Sequence, residues 1–505
     1  MRNLFVLTFF LSLFFNLSSQ DNDLYPLMKD RNEFYFSFKY DLHQLADVAN
    51  LVSIDKVDGD NVVAYANSEE YHNFLTLGIE TTLLTPPSML ENHKMYDGKT
   101  RDGYEWDEYP TYEAYEAMMA EYAELYPEEC SLIELGTLES GRKLLVLRLN
   151  NDVSAAKPKV LLTSTIHGDE TTGYVLMLRL IDELLTKKGN PEIDNVKNNI
   201  DLFVCPNANP DGTYRVGNHT VTGATRSNAL GVDMNRNYPG DNQTELHVDD
   251  AWWRMLSRQY ADLVHEKNPA YMTDRDNGVT NGAAWYVVNG SRQDYMNYYR
   301  QCREVTVECS STKCPPASYL PIYWEYNRNA IYTFLGQALF GIRGVVRDAK
   351  TQQPLKALVR ILNHDQEYSI VESQFPNGDF YRPIKAGTYT IEINANGYLP
   401  KRETVVVVDN EKTTLDVQLS RPDDFLEEYE DFELVLNTSG DVLFIKNKTA
   451  GKIHWELINI QGQIVKKSYE VGVDIEVSLC GLNSGIYFLN VVAGDKQAGR
   501  KIVVR

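Results

Sequence analysis

Cysteine is scarce in this chain, a long apolar run is missing from its interior, and basic residues are outnumbered. Six cysteines in 505 residues, Cys130, Cys205, Cys302, Cys309, Cys314 and Cys480, cannot brace a chain of this length, so it is no disulfide scaffold. Cys309 and Cys314 could close a small loop or equally remain buried thiols. No C-x-x-C pair occurs, which argues against a cysteine-built metal clip. After the N-terminal run LFVLTFFLSLFF (4–15), no stretch is long and apolar enough to cross a membrane. Long repeats and low-complexity tracts are lacking too. With 49 Lys and Arg against 71 Asp and Glu, the formal net charge is -22. Such a surface repels a phosphate backbone and argues against nucleic-acid binding. It could attract basic peptides, or simply keep the protein soluble.

What is present is the composition of a globular protein: 43% apolar and 24% charged residues. The length calls for about two to four domains. Met1-Arg2-Asn3, the apolar run and then NLSSQ make residues 1–19 a secretory signal peptide, with cleavage near Ser19. The mature protein is therefore expected to be exported, with no transmembrane helix.

Residues 21–95 alternate strand and helix patterns: FYFSF (34–38), DLHQLADVANLV (41–52), NVVAYA (61–66), EEYHNFL and ETTLL (80–84). They predict a small α/β domain. After a polar linker, residues 105–338 form the largest unit. KLLVLRL (143–149), KVLLTSTI (159–166) and DLFVCP (201–206) read as buried strands, and TTGYVLMLRLIDELL (171–185) as a helix. The fold class is α/β, with a mixed, largely parallel sheet and flanking helices. From Gly341 short alternating strands predict a β-sandwich over 340–420. RPDDFLEEYED (421–431) is an acidic linker, and a second β-sandwich domain fills 433–505.

The chemistry centres on IHGDE, which sets His167 and Glu170 directly after a strand. A turn there can aim an imidazole and a carboxylate, both good zinc ligands, at one point of a sheet crevice. The spacing alone means little, since HDQE repeats it at His364 and Glu367 on an expected hairpin. Further motifs single out the first copy: NPDG (209–212), GATRSNALGVDMNRNYP (223–239) and REVTVECSSTKCP (303–315).

Together with NGAAWYVVNGSRQDY, these motifs resemble the zinc carboxypeptidase family, nearest its carboxypeptidase N/E branch, over about 105–338. Gly341–Leu419 resembles the transthyretin-like domain of that branch. The resemblance implies one Zn2+ per chain held by His167 and Glu170. It implies that Asn235 and Arg236 grip the terminal carboxylate of a peptide, that Arg226 steadies the oxyanion, and that Glu308 is the general base toward zinc-activated water. A guanidinium fork suits a chain end because it matches a carboxylate bidentately. A tyrosine should close over the substrate, Tyr298 in preference to Tyr295.

One family feature has no counterpart. A third zinc ligand, a His after another buried strand, should follow the NRN motif, but NRNYPGDNQTELHVDDAWW runs straight on. His247 is the nearest substitute, ahead of His265 and His219. Three alternatives stand: substitution by His247, a binding-only relative, or an incomplete sequence. The N-terminal unit is propeptide-like or a stabilising module. The last domain, with INIQGQIV and GLNSGIYFLNVV, resembles the C-terminal sorting domain of the type IX secretion route. It implies passage through the periplasm to the outer-membrane surface or medium, with the secretion machinery as partner. The expected activity is hydrolysis of residues from peptide or protein C-termini. The alternatives are a non-catalytic surface protein that captures peptide ends and a zinc amidase acting on modified or cell-wall peptides.

Overall fold

The fold was analysed in a computed structural model, which describes residues 19–41, 44–98, 104–240, 244–285, 287–421, 432–436, 442–448, 451–494 and 496–504. The predicted signal peptide, Ser19 apart, and most of the acidic linker lie outside the described residues.

The N-terminal domain is built on α1 (Ser19–Arg31), β1 (Phe34–Lys39), α2 (Leu45–Ala49), β2 (Ser53–Asp58), β3 (Asn61–Ala66), α3 (Ser68–Leu75) and β4 (Thr81–Leu83). The sequence reading anticipated these elements except α1 and β2. Their polar patterns, SQDNDLYPLMKDR and SIDKVD, hide the little that they bury. The sheet order is β2-β3-β1-β4, antiparallel throughout, over a core of Phe34, Phe36, Phe38, Val62, Ala64, Tyr71 and Phe74. α3 starts in a capping box: the Asn67 side chain accepts from Glu69 and Glu70 N–H, and the Glu70 carboxylate accepts from Asn67 N–H. The Asn67 amide also donates to the Gly231 carbonyl at 3.0 Å, tying this helix end to the next domain.

β5 (Met95–Tyr96) and β6 (Tyr109–Pro110) pair briefly before α4 (Tyr112–Leu125). The central sheet comprises β7 (Cys130–Thr137), β8 (Lys143–Leu149), β9 (Lys159–Thr163) and β10 (Asp201–Cys205), in the order β7-β8-β10-β9. α5 (Thr172–Thr186) and α6 (Pro191–Asn199) connect β9 to β10. The buried residues of α5, among them Tyr174, Val175, Leu178, Ile181 and Leu185, recur at helical spacing and join Leu147, Leu202, Val204 and Trp324 in one core.

The sheet is mixed, but the expected predominance of parallel pairing needs correction. Only β9 and β10 pair in parallel among its described pairings; β7–β8 and β8–β10 are antiparallel. Further parallel strands would have to lie beyond β9, where no described strand pairs. β9 is accordingly an edge, with Leu161 48% exposed, rather than the buried strand its composition suggested. Residues 301–310, where alternating valines around Glu308 suit a strand, have no regular structure and leave Val305 and Val307 partly exposed. No strand among the described residues pairs with EVTVE, which stays irregular.

α7 (Pro210–Thr213) is one turn at NPDG, α8 (Asp250–Lys267) follows the NRN segment, and a long helix, Leu320–Gln337, closes the domain. The two β-sandwiches are as anticipated. One packs the sheet containing Gly341–Asp348 on that containing Gly387–Asn394. The other packs Val442–Asn447 and Asp474–Ser478 against Lys452–Asn459 and Gly485–Ala493. Cys309 and Cys314 are free thiols. No helix among the described residues is long and apolar enough to cross a membrane.

Candidate active site

The site forms where three loops cross at the carboxyl end of the β9–β10 pair. Gly168 in IHGDE is pressed onto the NPDG turn: a Cβ there would stand 2.3 Å from the Gly212 carbonyl carbon and 2.4 Å from the Thr213 nitrogen. No side chain fits, so the glycine lets the two motifs touch. The Asn209 amide donates to the carbonyls of Ile166 and Arg226, both at 3.3 Å. Gly168 N–H donates to the Arg226 carbonyl at 3.2 Å, weaving in the TRSN segment.

This weave converges His167, Glu170, Arg226 and Asp233. His167 Nδ1 lies 2.9 Å from Glu170 Oε2, and Nε2 lies 3.2 Å from Asp233 Oδ1. Arg226 donates from Nε to Asp233 Oδ2 at 2.9 Å and from Nη1 to Glu170 Oε1 at 3.4 Å. Lys313 Nζ donates to Glu170 Oε1 at 2.6 Å. Burial and Arg226 oppose protonation of His167, but Glu170 and Asp233 outweigh them and raise its pKa. Burial would raise the Glu170 pKa, yet His167, Lys313 and Arg226 hold it well below the usual carboxylate range. Asp233 is likewise held low, Arg226 and His167 overcoming its burial.

Glu308 has surface open to solvent, with Glu170, Lys313, His167 and Arg226 within electrostatic reach of its carboxyl. The protein packed around its carboxyl and the nearby Glu170 charge raise its pKa, against Lys313, His167 and Arg226. Asn235 and Arg236 lie one turn beyond Asp233. Asn235 Oδ1 accepts from Arg292 N–H at 2.9 Å, Arg236 donates to the Asn235 carbonyl at 2.8 Å, and the Arg236 charge helps to keep Asp233 ionised.

Two expected site residues are elsewhere. His247 accepts from Asp249 N–H at 3.0 Å, and its ring lies against Tyr298 and Tyr368. It belongs to a buried ion cluster between this domain and the first sandwich, so the substitution by His247 is corrected. The Tyr298 hydroxyl donates to the Glu245 carbonyl at 3.2 Å, and its ring packs against His247 and Tyr368. It sits in a π-helical turn, Tyr295–Tyr299, a conformation that absorbs an extra residue. His265 is engaged with the Met272 carbonyl, and Tyr295 packs on Tyr238 and Tyr299. Residues not singled out from sequence are also present: Asp233 behind His167, Lys313, Asp169, and three from the N-terminal domain. Ser53 donates to Asp233 at 2.7 Å, Tyr65 donates to Asp169 at 2.9 Å, and Asp55 lies 3.3 Å from Lys313 Nζ.

The donor set fits a zinc ion in part. With Nε2–H kept on Asp233, loss of the Nδ1 proton turns a lone pair of His167 toward Glu170, so two ligands converge and a carboxylate orients the imidazole from behind. Among the described residues, no group of three His, Cys, Asp or Glu forms a metal cage.

Comparison with known proteins follows the same division. The zinc carboxypeptidase family model matches 115–245 and 237–330, a regulatory-like carboxypeptidase domain matches 341–420, and a secretion system C-terminal sorting domain matches 437–505. Residues 115–330 are a zinc carboxypeptidase domain. Carboxypeptidase E of Caenorhabditis elegans is 28% identical over 398 residues, covering 59% of this chain and 83% of that protein. Human carboxypeptidase D is 28% identical over 412 residues, covering 62% of this chain but 29% of its own length. The catalytic chain of rat carboxypeptidase N is 25% identical, covering 58% and 82%. Among solved structures, carboxypeptidase A from Helicoverpa armigera aligns with a TM-score of 0.43 and 16% identity over 60% of this chain and 96% of its own. The family match and the curated relatives give residues 115–330 the character of a metallocarboxypeptidase domain, a peptide hydrolase. Its match to the family breaks at 237–245, in the segment where the third ligand and its strand were expected.

Proposed function

We propose that this chain is an exported zinc carboxypeptidase that removes residues from the C-termini of peptides. The observation that carries the reading is the 2.9 Å approach of His167 Nδ1 to Glu170, with Asp233 behind the imidazole and Glu308 within electrostatic reach. His167 and Glu170 would hold zinc, which when bound supplies Lewis acidity toward the scissile carbonyl and toward water. Glu308 takes a proton from the attacking water and returns it to the leaving amine, and a carboxyl with a raised pKa is the better proton carrier. Arg226 faces charge that develops on the carbonyl oxygen. Arg236 and Asn235 receive the terminal carboxylate.

The N-terminal domain is read as a propeptide-like cover, because Ser53, Asp55 and Tyr65 reach into the charge cluster. The sorting domain supports export by the type IX route, with the secretion machinery as partner. The small number of converging ligands favours one second reading, a surface protein that captures peptide ends without hydrolysis. Purified mature protein is the test. About one zinc per chain and chelator-sensitive release of C-terminal residues support the peptidase; tight binding of free peptide ends without zinc supports capture.

A further inference from the structure

Among the described residues no strand lies beside the segment that carries Glu308, yet its backbone is bonded along one edge. Cys302 N–H donates to the Met296 carbonyl at 3.0 Å. Glu304 N–H donates to Asn297 Oδ1 at 3.2 Å, and Thr306 N–H to Gln293 Oε1 at 2.8 Å. These donors stand two residues apart, the spacing at which one edge of a strand presents its N–H groups. The Asn297 amide also donates to the Glu304 carbonyl at 2.9 Å. Glu304 thus gives both backbone groups to one side chain, as a residue of an antiparallel pair gives both to the residue opposite.

The partner is a turn. Met296 and Asn297 belong to the π-helical Tyr295–Tyr299, and Gln293 to the short helix Arg292–Asp294 before it. Asn297 is buried, and its amide donates to the Gln293 carbonyl at 3.0 Å as well. A carboxamide suits this place because it donates and accepts at once, as a peptide group does. The turn is itself anchored: Arg292 donates to Thr163 Oγ1 at the end of β9 at 2.6 Å and pairs with Glu304 at 3.1 Å. Beyond Glu308, the Tyr271 hydroxyl donates to the Cys309 carbonyl at 2.6 Å. Glu308 therefore lies between two held points, Thr306 and Cys309.

We propose that Asn297 and Gln293 are positioning residues for Glu308: their carboxamides stand in for a neighbouring strand and fix the course of residues 302–306, and with it the place of the Glu308 carboxyl. The inference rests on the peptidase reading, in which Glu308 is the base. Asn235 is held separately, by the Arg292 backbone N–H, so recognition of a chain end does not depend on these two side chains.

The test uses the full chain. Amide exchange over 302–308 is followed by mass spectrometry against that of β8 and β10, and release of C-terminal residues is measured at limiting and saturating peptide. The proteins are wild type, Asn297→Leu, Gln293→Met and Gln293→Glu. Asn297→Leu keeps the size of the side chain without its bonds. It should speed exchange over 302–308 about tenfold while β8 and β10 stay as they are. Its kcat should fall about tenfold to a hundredfold, with KM within about twofold. Gln293→Met should act in the same way more weakly, and Gln293→Glu, which keeps an acceptor for Thr306 N–H, should match wild type. Unchanged exchange, or faster exchange with kcat unchanged, overturns the inference and leaves the peptidase reading standing. A loss carried by KM, or one in which β8 and β10 loosen equally, overturns it too. A wild type that releases no residues ends both, and the wild-type rate alone separates that failure from the others. If Asn297→Leu does not fold, the Gln293 pair decides: a fall in kcat in Gln293→Met that is absent from Gln293→Glu supports the inference, and equal rates overturn it.

Discussion

The carboxypeptidase domain buries charge in two places, and they are built on opposite plans. At the mouth of the sheet, His167 and Glu170 converge beside Arg226, Asp233 and Lys313, and Glu308 has surface open to solvent. Where the domain meets the first sandwich, Asp249 is enclosed by a matched set of partners. Arg382 reaches it with both Nη atoms at 2.9 Å, Arg303 at 3.0 Å and His364 at 2.9 Å, while Arg382 also meets Asp365. The first cluster leaves donors for an incoming ion or substrate. The second is closed on itself and joins two domains. The histidine that sequence proximity offered as a ligand, His247, lies in the second; so does His364 of the decoy HDQE motif. Residue type and spacing do not distinguish a ligand from a rivet, whereas convergence in space does.

Substitutions in the two clusters should therefore fail differently. The largest effect is expected at the open one: Glu308→Gln should lower kcat by about 10²–10⁴-fold with peptide affinity largely kept, measured by release of C-terminal residues and by calorimetric binding. An undiminished rate would remove Glu308 from the mechanism and dissolve the contrast. At the closed cluster, Asp249→Ala strands buried guanidinium groups and should cost about 3–5 kcal/mol of stability, read from denaturant unfolding, with zinc content unchanged.

Acid should attack the closed cluster through His247. Burial pushes its pKa down to about 4, with the neighbouring Arg303 and Arg382 adding to burial against Asp249 and Asp365. A free imidazole titrates near ~6.5, so the unfolded chain takes the proton first. The contribution of His247 is complete above that value and drains as pH falls toward 4, a loss of about 3 kcal/mol at most. Asp249, held low by His364, Arg382 and Arg303 against its burial, works in the same direction at still lower pH. His247→Gln should flatten the stability profile between pH 7 and 4, while zinc affinity stays within about twofold. A large fall in zinc affinity would return His247 to the metal site. The smallest effect is expected for Arg236→Ala, about tenfold weaker binding of peptides with free C-termini; equal affinity of wild type for free and amidated peptides would end its assignment.

Much of this protein is legible before any coordinates. KLLVLRL and DLFVCP match β8 and β10, and the α5 pattern matches its helix, because apolar runs and helical spacing report burial directly. β9 and EVTVE misled for the same reason. Their composition suits a buried strand, but the neighbour that would bury β9 does not pair with it among the described residues, leaving Leu161 in solvent. In the site, IHGDE, TRSN and MNRN were readable as motifs, and Asp233 stood within GVDMNRN unremarked because its task is to orient His167 rather than to bind. Lys313 and the N-terminal trio of Ser53, Asp55 and Tyr65 carried no signal at all, since their meaning lies in contacts across long stretches of chain.

Local order along the chain was enough to mark β8, β10 and α5 and the residue types of a peptidase, since each follows from periodicity or from a short motif, while β7, α4 and α6 gave no such signal. Only the tertiary structure decided which charges face one another. It drew His247 into an ion cluster between domains, turned Tyr298 toward the Glu245 carbonyl, and set Lys313 on Glu170. Electrostatic pairing depends on distance through space and on exclusion of water, and neither is written in the spacing of residues along the chain.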